Sequence, residues 1–118
     1  MSSAALWLRA FSLTLAVEEP IAVPLLAAVE RSKVRRVMGV LLANLATHPL
    51  VWFFFPHLGW AWRDSTFAAE VWAFGFEIVA YRCIFARATW RRCAIVSVAA
   101  NLGSFLLGLV IARWGWLR

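Results

Sequence analysis

Residues 37–55 read VMGVLLANLATHPLVWFFF and contain no formally charged side chain. A transmembrane helix needs about 20 mainly apolar residues to cross a hydrocarbon core about 30 Å thick. This stretch therefore predicts a membrane-spanning helix. A second uncharged stretch, residues 93–112, predicts another helix of the same kind.

Two further windows, residues 10–29 and 66–85, have the required length but contain carboxylates. We expect them to span as well, because the chain of 118 residues is 64% hydrophobic and only 15% charged. Its mean hydropathy is +0.76, and a soluble domain of this size is typically near half apolar and a quarter charged. The sequence therefore predicts an all-α integral membrane protein, with residues 1–118 forming a single transmembrane domain of four helices.

The net charge of +6 would raise the question of nucleic-acid binding in a soluble protein. Here most of the Lys and Arg side chains lie in two short loops, residues 31–36 and 87–92. Short basic loops stay in the cytoplasm. We therefore expect no nucleic-acid partner, the lipid bilayer as the main surroundings, and both termini outside. In a prokaryote this membrane would be the bacterial inner membrane.

Tryptophan is distributed unevenly between the two predicted membrane surfaces. With this orientation only Trp90 lies on the cytoplasmic side. The others are predicted toward the outer side: Trp7, Trp52, Trp60, Trp62, Trp72, Trp114 and Trp116. Indole favours the headgroup region, so an interfacial belt is the simple interpretation. A docking surface for another membrane subunit is the alternative.

A local pattern recurs in the second and fourth predicted helices. Residues 43–47 read ANLAT and residues 100–104 read ANLGS, each following a pair of arginines. Each copy also follows a glutamate, Glu19 or Glu77, by about two dozen residues. We interpret residues 10–55 and 66–112 as two helix-hairpin repeats. Because each unit contains two helices, the copies would be parallel, related by an axis along the membrane normal.

Several polar side chains are predicted near the middle of the bilayer. A charged group there costs about 2.5–3.5 kcal/mol on insertion scales, so it usually faces protein or a watery cavity. The candidate proton or cation site consists of Glu19, Asn44, His48, Glu77 and Asn101. Secondary candidates are Glu18, Glu70, Thr47 and Ser104. Of the adjacent Glu18 and Glu19, the spacing of the repeat favours Glu19 as the interior residue.

No Lys or Arg lies in the middle of a predicted span. A buried carboxylate without a positive partner is expected to be protonated at rest or to bind a cation. The alternative is structural: Glu, Asn, Thr and Ser hydrogen-bond across helices and hold the bundle together. Cys83 and Cys93 have the spacing of neither a zinc motif nor a redox pair, and we expect no cofactor.

Three functions fit these features. The leading one is a small proton- or cation-coupled transporter or channel, acting as a homo-oligomer because four helices enclose little space. The second is a non-catalytic accessory subunit that assembles with other membrane subunits. The third is an intramembrane hydrolase in which Glu and His activate water. Only the third involves catalysis, so we expect the chain not to be an enzyme.

Overall fold

The computed structural model describes residues 2–114, and within this range the chain forms helices and no strands. Four long helices follow one another, with a short 3₁₀ turn after the second. They are α1 (Ser3–Leu25), α2 (Lys33–Phe53), the turn Phe55–His57, α3 (Trp62–Ile84) and α4 (Trp90–Arg113). The predicted all-α architecture of four helices is confirmed.

The helices begin three to seven residues before the predicted windows. Hydroxyl side chains explain three of these starts, because an N-cap oxygen accepts a hydrogen bond from a backbone N–H that lacks a helical partner. Ser2, Ser32 and Thr89 each accept from the N–H three residues later, at 3.1–3.2 Å. The first turns of α2, α3 and α4 contain charged residues, which hydropathy windows leave out, whereas α1 extends past Arg9 to its cap at Ser2.

The four helices form a square bundle. α1 packs on α2 and α4, and α3 packs on the same two helices, whereas no Cα pair of α1 and α3 or of α2 and α4 lies within 8 Å. The described part measures 39 × 23 × 21 Å. Consecutive helices are neighbours joined by short loops, as in an up-and-down bundle. The start of α1, the end of α4 and the 54–61 connection lie at one end, and the two basic loops lie at the other.

The apolar core lies at the end that carries the basic loops. Its fully buried members include Leu26, Val40 and Val96. Gly39 allows the Phe85 ring to approach α2 so closely that a Cβ at this position would overlap the ring. Arg36 links α2 to α1, because its Nη1 donates a hydrogen bond to the Val23 carbonyl oxygen at 2.7 Å. This end of the bundle is therefore tightly packed.

Two segments, Lys33–His57 and Trp90–Arg113, are long and apolar enough to cross a membrane. α1 and α3 do not meet the same criterion, and these are the helices that contain the carboxylates. Large apolar side chains also cover the outside of the bundle. Examples with more than half of their surface exposed are Leu8, Phe67, Val71, Leu102 and Leu106.

Candidate functional site

α1 turns Glu18, and not Glu19, toward the inside of the bundle. Glu18 is 1% exposed, whereas Glu19 is only half-buried. Helical geometry explains the difference, because residues four apart share a face and Glu18 lies in line with the fully buried Ala22 and Leu26. The expectation that Glu19 is the interior carboxylate does not match this placement.

Glu19 lies instead beside a groove between α1 and α2. The groove has a volume of about 540 Å³ and is lined by Pro20, Pro24 and Lys33, among others. The Oε2 atom of Glu19 is covered but has no hydrogen-bond partner among the described residues. The structure therefore does not bring Glu19 together with the other predicted site residues.

Glu77 is fully buried on α3 and pairs with Asn101 of α4. The Asn101 Nδ2 group donates to Glu77 Oε2 and also to the carbonyl oxygen of Ser97, at 2.9 Å. Ser97 in turn donates from Oγ to the carbonyl of Phe74 on α3, at 2.8 Å. These bonds fix the amide of Asn101, so that its N–H group points at the carboxylate.

Ser104 connects Glu18 to the same helix. Its Oγ lies 3.1 Å from Glu18 Oε2 and 3.1 Å from the carbonyl oxygen of Asn101. Glu18 and Glu77 are close enough to interact electrostatically, and Asn44 is a further polar neighbour of Glu18. α4 thus holds both carboxyl groups, one through Ser104 and the other through Asn101.

A cavity of about 290 Å³ extends from Glu18 toward the end of the bundle where α1 starts and α4 ends. The polar groups in its wall come from all four helices. They are Thr14, Glu18, Asn44, Thr47, His48, Thr66, Glu70, Asn101 and Ser104. Its lining in the described chain includes no Lys or Arg. Seven of the nine predicted primary and secondary site residues therefore line this cavity. Glu77 does not line it but is hydrogen-bonded to Asn101, which does.

The cavity also borders a groove on the outer surface between α3 and α4. This groove has a volume of about 510 Å³ and is lined mainly by apolar side chains, but also by Arg63. Thr66, Glu70 and Asn101 line both spaces. Glu70, which is half-buried, therefore lies between the cavity and the outside of the bundle.

His48 lies beside the cavity in aromatic surroundings. Its Nε2 is 3.2 Å from the Thr14 hydroxyl, and its Nδ1 is buried without a partner among residues 2–114. Its ring centroid is 5.3 Å from that of Phe11 and 6.3 Å from that of Trp7. His48 therefore contacts α1 through packing and one hydroxyl, and not through a carboxylate.

Two residues of the site were missed by the sequence analysis. Ser97 precedes Asn101 by one helical turn and therefore shares its face of α4. Tyr81 follows Glu77 by one turn and shares its face of α3. Tyr81 is also the single tyrosine in a chain with nine phenylalanines. Both side chains are fully buried.

Among the described residues, no group of three or more His, Cys, Asp and Glu side chains is arranged to hold a metal ion. Comparisons with protein-family models, with curated proteins and with solved structures found no match. A function must therefore be inferred from the cavity and from the buried carboxyl groups of Glu18 and Glu77.

Proposed function

We propose that the protein spans a membrane and binds and releases protons, or a small cation in their place, at Glu18 and Glu77. The observation that carries this proposal is the burial of two interacting carboxyl groups, 1% and 0% exposed, with no Lys or Arg in the wall of the adjoining cavity. Two buried like charges are unfavourable. One proton or one cation held between the two carboxyl groups reduces their electrostatic repulsion.

Membrane insertion is supported by the surface of the bundle and by its length. The exposed apolar side chains on the outside would be unfavourable in water but suit a lipid environment. A helix of 23 residues, the length of α1 and α3, measures about 35 Å at 1.5 Å per residue. That length suffices to cross the hydrocarbon core.

For the orientation, we propose that the basic loops 31–36 and 87–92 are cytoplasmic. Trp7, Trp52, Trp60 and Trp114 belong to the end of the bundle where α1 starts and α4 ends, whereas Trp90 begins α4 at the basic end. Trp72 lies well inside α3, where its ring centroid is 5.1 Å from that of Phe76. Trp116 lies outside the described residues. The aromatic belt would thus be concentrated at the outer surface.

A duplicated hairpin is supported by matching contacts in the two halves. Asn44 donates to the Val40 carbonyl and Asn101 to the Ser97 carbonyl, both at 2.9 Å. The end of α1 and the end of α3 also match, since Leu26 N–H donates to Ala22 O and Phe85 N–H to Tyr81 O, both at 2.9 Å.

The same register pairs buried positions of α1 and α3. Ala10 corresponds to Ala69, Glu18 to Glu77, Ala22 to Tyr81 and Leu26 to Phe85, and each of these residues is at most 7% exposed. The repeat that we propose therefore aligns Glu18 with Glu77, one residue away from the alignment that the sequence favoured. Diagonal placement of α1 and α3 agrees with a parallel repeat about the bundle axis.

In this proposal the cavity gives Glu18, which lines it, access to one side of the membrane only, and Glu77 exchanges its proton through Glu18. Toward the basic loops the space between the helices is filled by the apolar core, which includes Leu26, Val40 and Phe85. Proton exchange with the outer side needs no second copy of the chain. Passage to the cytoplasmic side requires the core to open, and we propose that a homo-oligomer or another membrane subunit supports that step.

The test is proton flux into liposomes that contain the purified protein and a pH-sensitive dye. A gradient of Na⁺ or K⁺, or a membrane potential, drives the flux. Glu18→Gln and Glu77→Gln keep the shape of each side chain but cannot release a proton. We expect each to lower the flux at least about tenfold, as is typical when a proton-transfer group is removed.

Glu19→Gln is the matched control, because it removes the neighbouring carboxylate outside the cavity. We expect this variant to retain the flux of the wild type. Absence of flux in the wild type under every gradient would contradict the transport function and favour the accessory subunit. Full activity of both Glu18→Gln and Glu77→Gln would show that the site is elsewhere.

A further inference from the structure

Three buried oxygen atoms near the middle of the bundle have no hydrogen-bond partner among the described residues. They are Glu18 Oε1, Glu77 Oε1 and the Tyr81 hydroxyl. A buried polar group without a partner loses its hydration and gains nothing in return. The hydroxyl is the group of the three that is always able to donate, whereas a carboxyl oxygen donates only when it is protonated. The Tyr81 hydroxyl could therefore donate a hydrogen bond to one of the two carboxyl oxygens.

The contacts of Ser104 indicate which carboxyl group holds a proton. A serine hydroxyl has one hydrogen, yet Ser104 Oγ lies at 3.1 Å both from Glu18 Oε2 and from the Asn101 carbonyl oxygen. Both contacts are hydrogen bonds if the Glu18 carboxyl group is protonated and donates to Ser104, while Ser104 donates to the carbonyl. The geometry therefore favours Glu18 as a neutral acid.

The surroundings of Glu77 favour its ionised form instead. The Asn101 amide donates to its Oε2, and hydrogen-bond donors stabilise an ionised carboxylate. Tyr81 lies one helical turn from Glu77 on the same face of α3, and Glu18 and Glu19 of α1 are more distant electrostatic neighbours of its hydroxyl. A second donor is thus available on the helix that carries Glu77.

The choice of tyrosine at this position needs an explanation beyond packing. Tyr81 is 0% exposed and belongs to the apolar core. Phenylalanine has nearly the same shape and would leave no unpaired hydroxyl, and the chain uses it at nine other positions. The corresponding residue of α1 is Ala22, so the hydroxyl is present on one side of the bundle only.

We infer that Tyr81 is a positioning residue that donates a hydrogen bond from its hydroxyl to Glu77 Oε1 when Glu77 is ionised. This inference deepens the proposed proton exchange and rests on it. Glu18 gives its proton to water in the cavity and takes the proton of Glu77, so that its O–H bond is restored. Glu77 is left as the anion, held by Asn101 and Tyr81, and one proton has been released.

Other titratable groups interact with Glu77 or Tyr81. They are Glu18 and Glu19 on α1, Glu70 on α3 and Cys93 on α4. His48 of α2 lines the cavity, which neither Glu77 nor Tyr81 lines. Tyr81 differs from these groups because it is a donor one turn from Glu77 on the same helix, so its removal should change the titration of Glu77 most.

The test is infrared spectroscopy of the protein in lipid as the pH is raised, with wild type, Glu18→Gln, Glu77→Gln and Tyr81→Phe compared. We expect one buried carboxylic-acid band that persists and is lost in Glu18→Gln, and one that titrates and is lost in Glu77→Gln. Tyr81→Phe should move the midpoint of the titrating band upward by about one pH unit, a tenfold change in proton affinity. At a pH below this titration, where Glu77 is neutral and the Tyr81 hydroxyl has no partner, the melting temperature of Tyr81→Phe should be equal to or above that of the wild type.

A purely structural role for Tyr81 predicts the reverse: a lower melting temperature and an unchanged midpoint, which would overturn the inference. The wild type provides a second readout that needs no Tyr81 variant. Its tyrosine band should shift together with the titrating carboxyl band, and this coupled shift should vanish in Glu77→Gln. A tyrosine band that does not shift during the titration of the carboxyl band also contradicts the inference. Because the spectra require no flux, failure of transport is distinguishable from failure of this role.

Discussion

At the scale of single residues, Ser97 is the polar side chain that most clearly joins two helices. Its Oγ donates across the α3–α4 interface to the Phe74 carbonyl, and it is fully buried. Thr47 is similarly buried, but its hydroxyl contacts only carbonyls of its own helix, those of Ala43 and Asn44. The two hydroxyls therefore differ in the number of helices they connect.

We predict that Ser97→Ala lowers the free energy of unfolding by about 1 kcal/mol, the usual net contribution of a buried hydrogen bond. Thr47→Val, which keeps the shape of the side chain, should change it by less than about half of that value. Denaturation in mild detergent, followed by circular dichroism, measures both. Equal losses in the two variants would argue against the interhelical role of Ser97.

The assignment of the inner carboxylate also belongs to the residue scale. The sequence could show that Glu18 and Glu19 cannot both point inward, because successive residues of a helix are separated by about 100°. It could not show which one does, because the face of α1 depends on its packing against α4 through Ser104. The spacing of the repeat favoured the wrong neighbour by one residue.

At the scale of elements, the close approach of α2 to the end of α3 depends on one glycine. A Cβ at Gly39 would overlap the Phe85 ring and lie 3.2 Å from Ile84 Cγ2. Gly75, in the middle of α3, has open space where a Cβ would be, with nothing within 4 Å. These two helical glycines form a matched pair.

Gly39→Ala is expected to destabilise the bundle by about 1–3 kcal/mol, the typical cost of overpacking. Gly75→Ala should instead be neutral or stabilising by up to about 1 kcal/mol, since alanine restricts the unfolded chain. Thermal unfolding in detergent compares the two. A stable Gly39→Ala variant would mean that α2 and α3 are less closely packed than described.

The elements themselves were largely predictable. Four apolar windows predicted the number and order of the helices, because a membrane-spanning helix requires about 20 mainly apolar residues, and each window overlaps one observed helix. The helix ends were not predictable from hydropathy, because α1, α2 and α4 begin at the caps Ser2, Ser32 and Thr89. Residues 43–47 and 100–104 were correctly singled out, since each contains an asparagine with the same intrahelical bond.

At the scale of the whole molecule, the bundle has two dissimilar ends. The end with the basic loops is filled by apolar side chains, and the end where α1 starts and α4 ends contains the polar cavity. The sequence predicted the polar residues but not this division, because it follows from which helix faces meet. Tyr81 and Ser97 were missed for the same reason: each becomes notable only beside Glu77 or Asn101.

The central claim is that α1 and α3 present Glu18 and Glu77 to each other inside the bundle. Cross-linking in native membranes tests it directly, with Glu18→Cys/Glu77→Cys compared with Glu19→Cys/Glu77→Cys after both natural cysteines are replaced by serine. A direct disulfide is excluded, because no Cα pair of these helices lies within 8 Å. A short bifunctional thiol reagent should therefore be used. We predict cross-linking of the first pair and not of the second; cross-linking of the second pair alone, or of neither, would contradict the paired site.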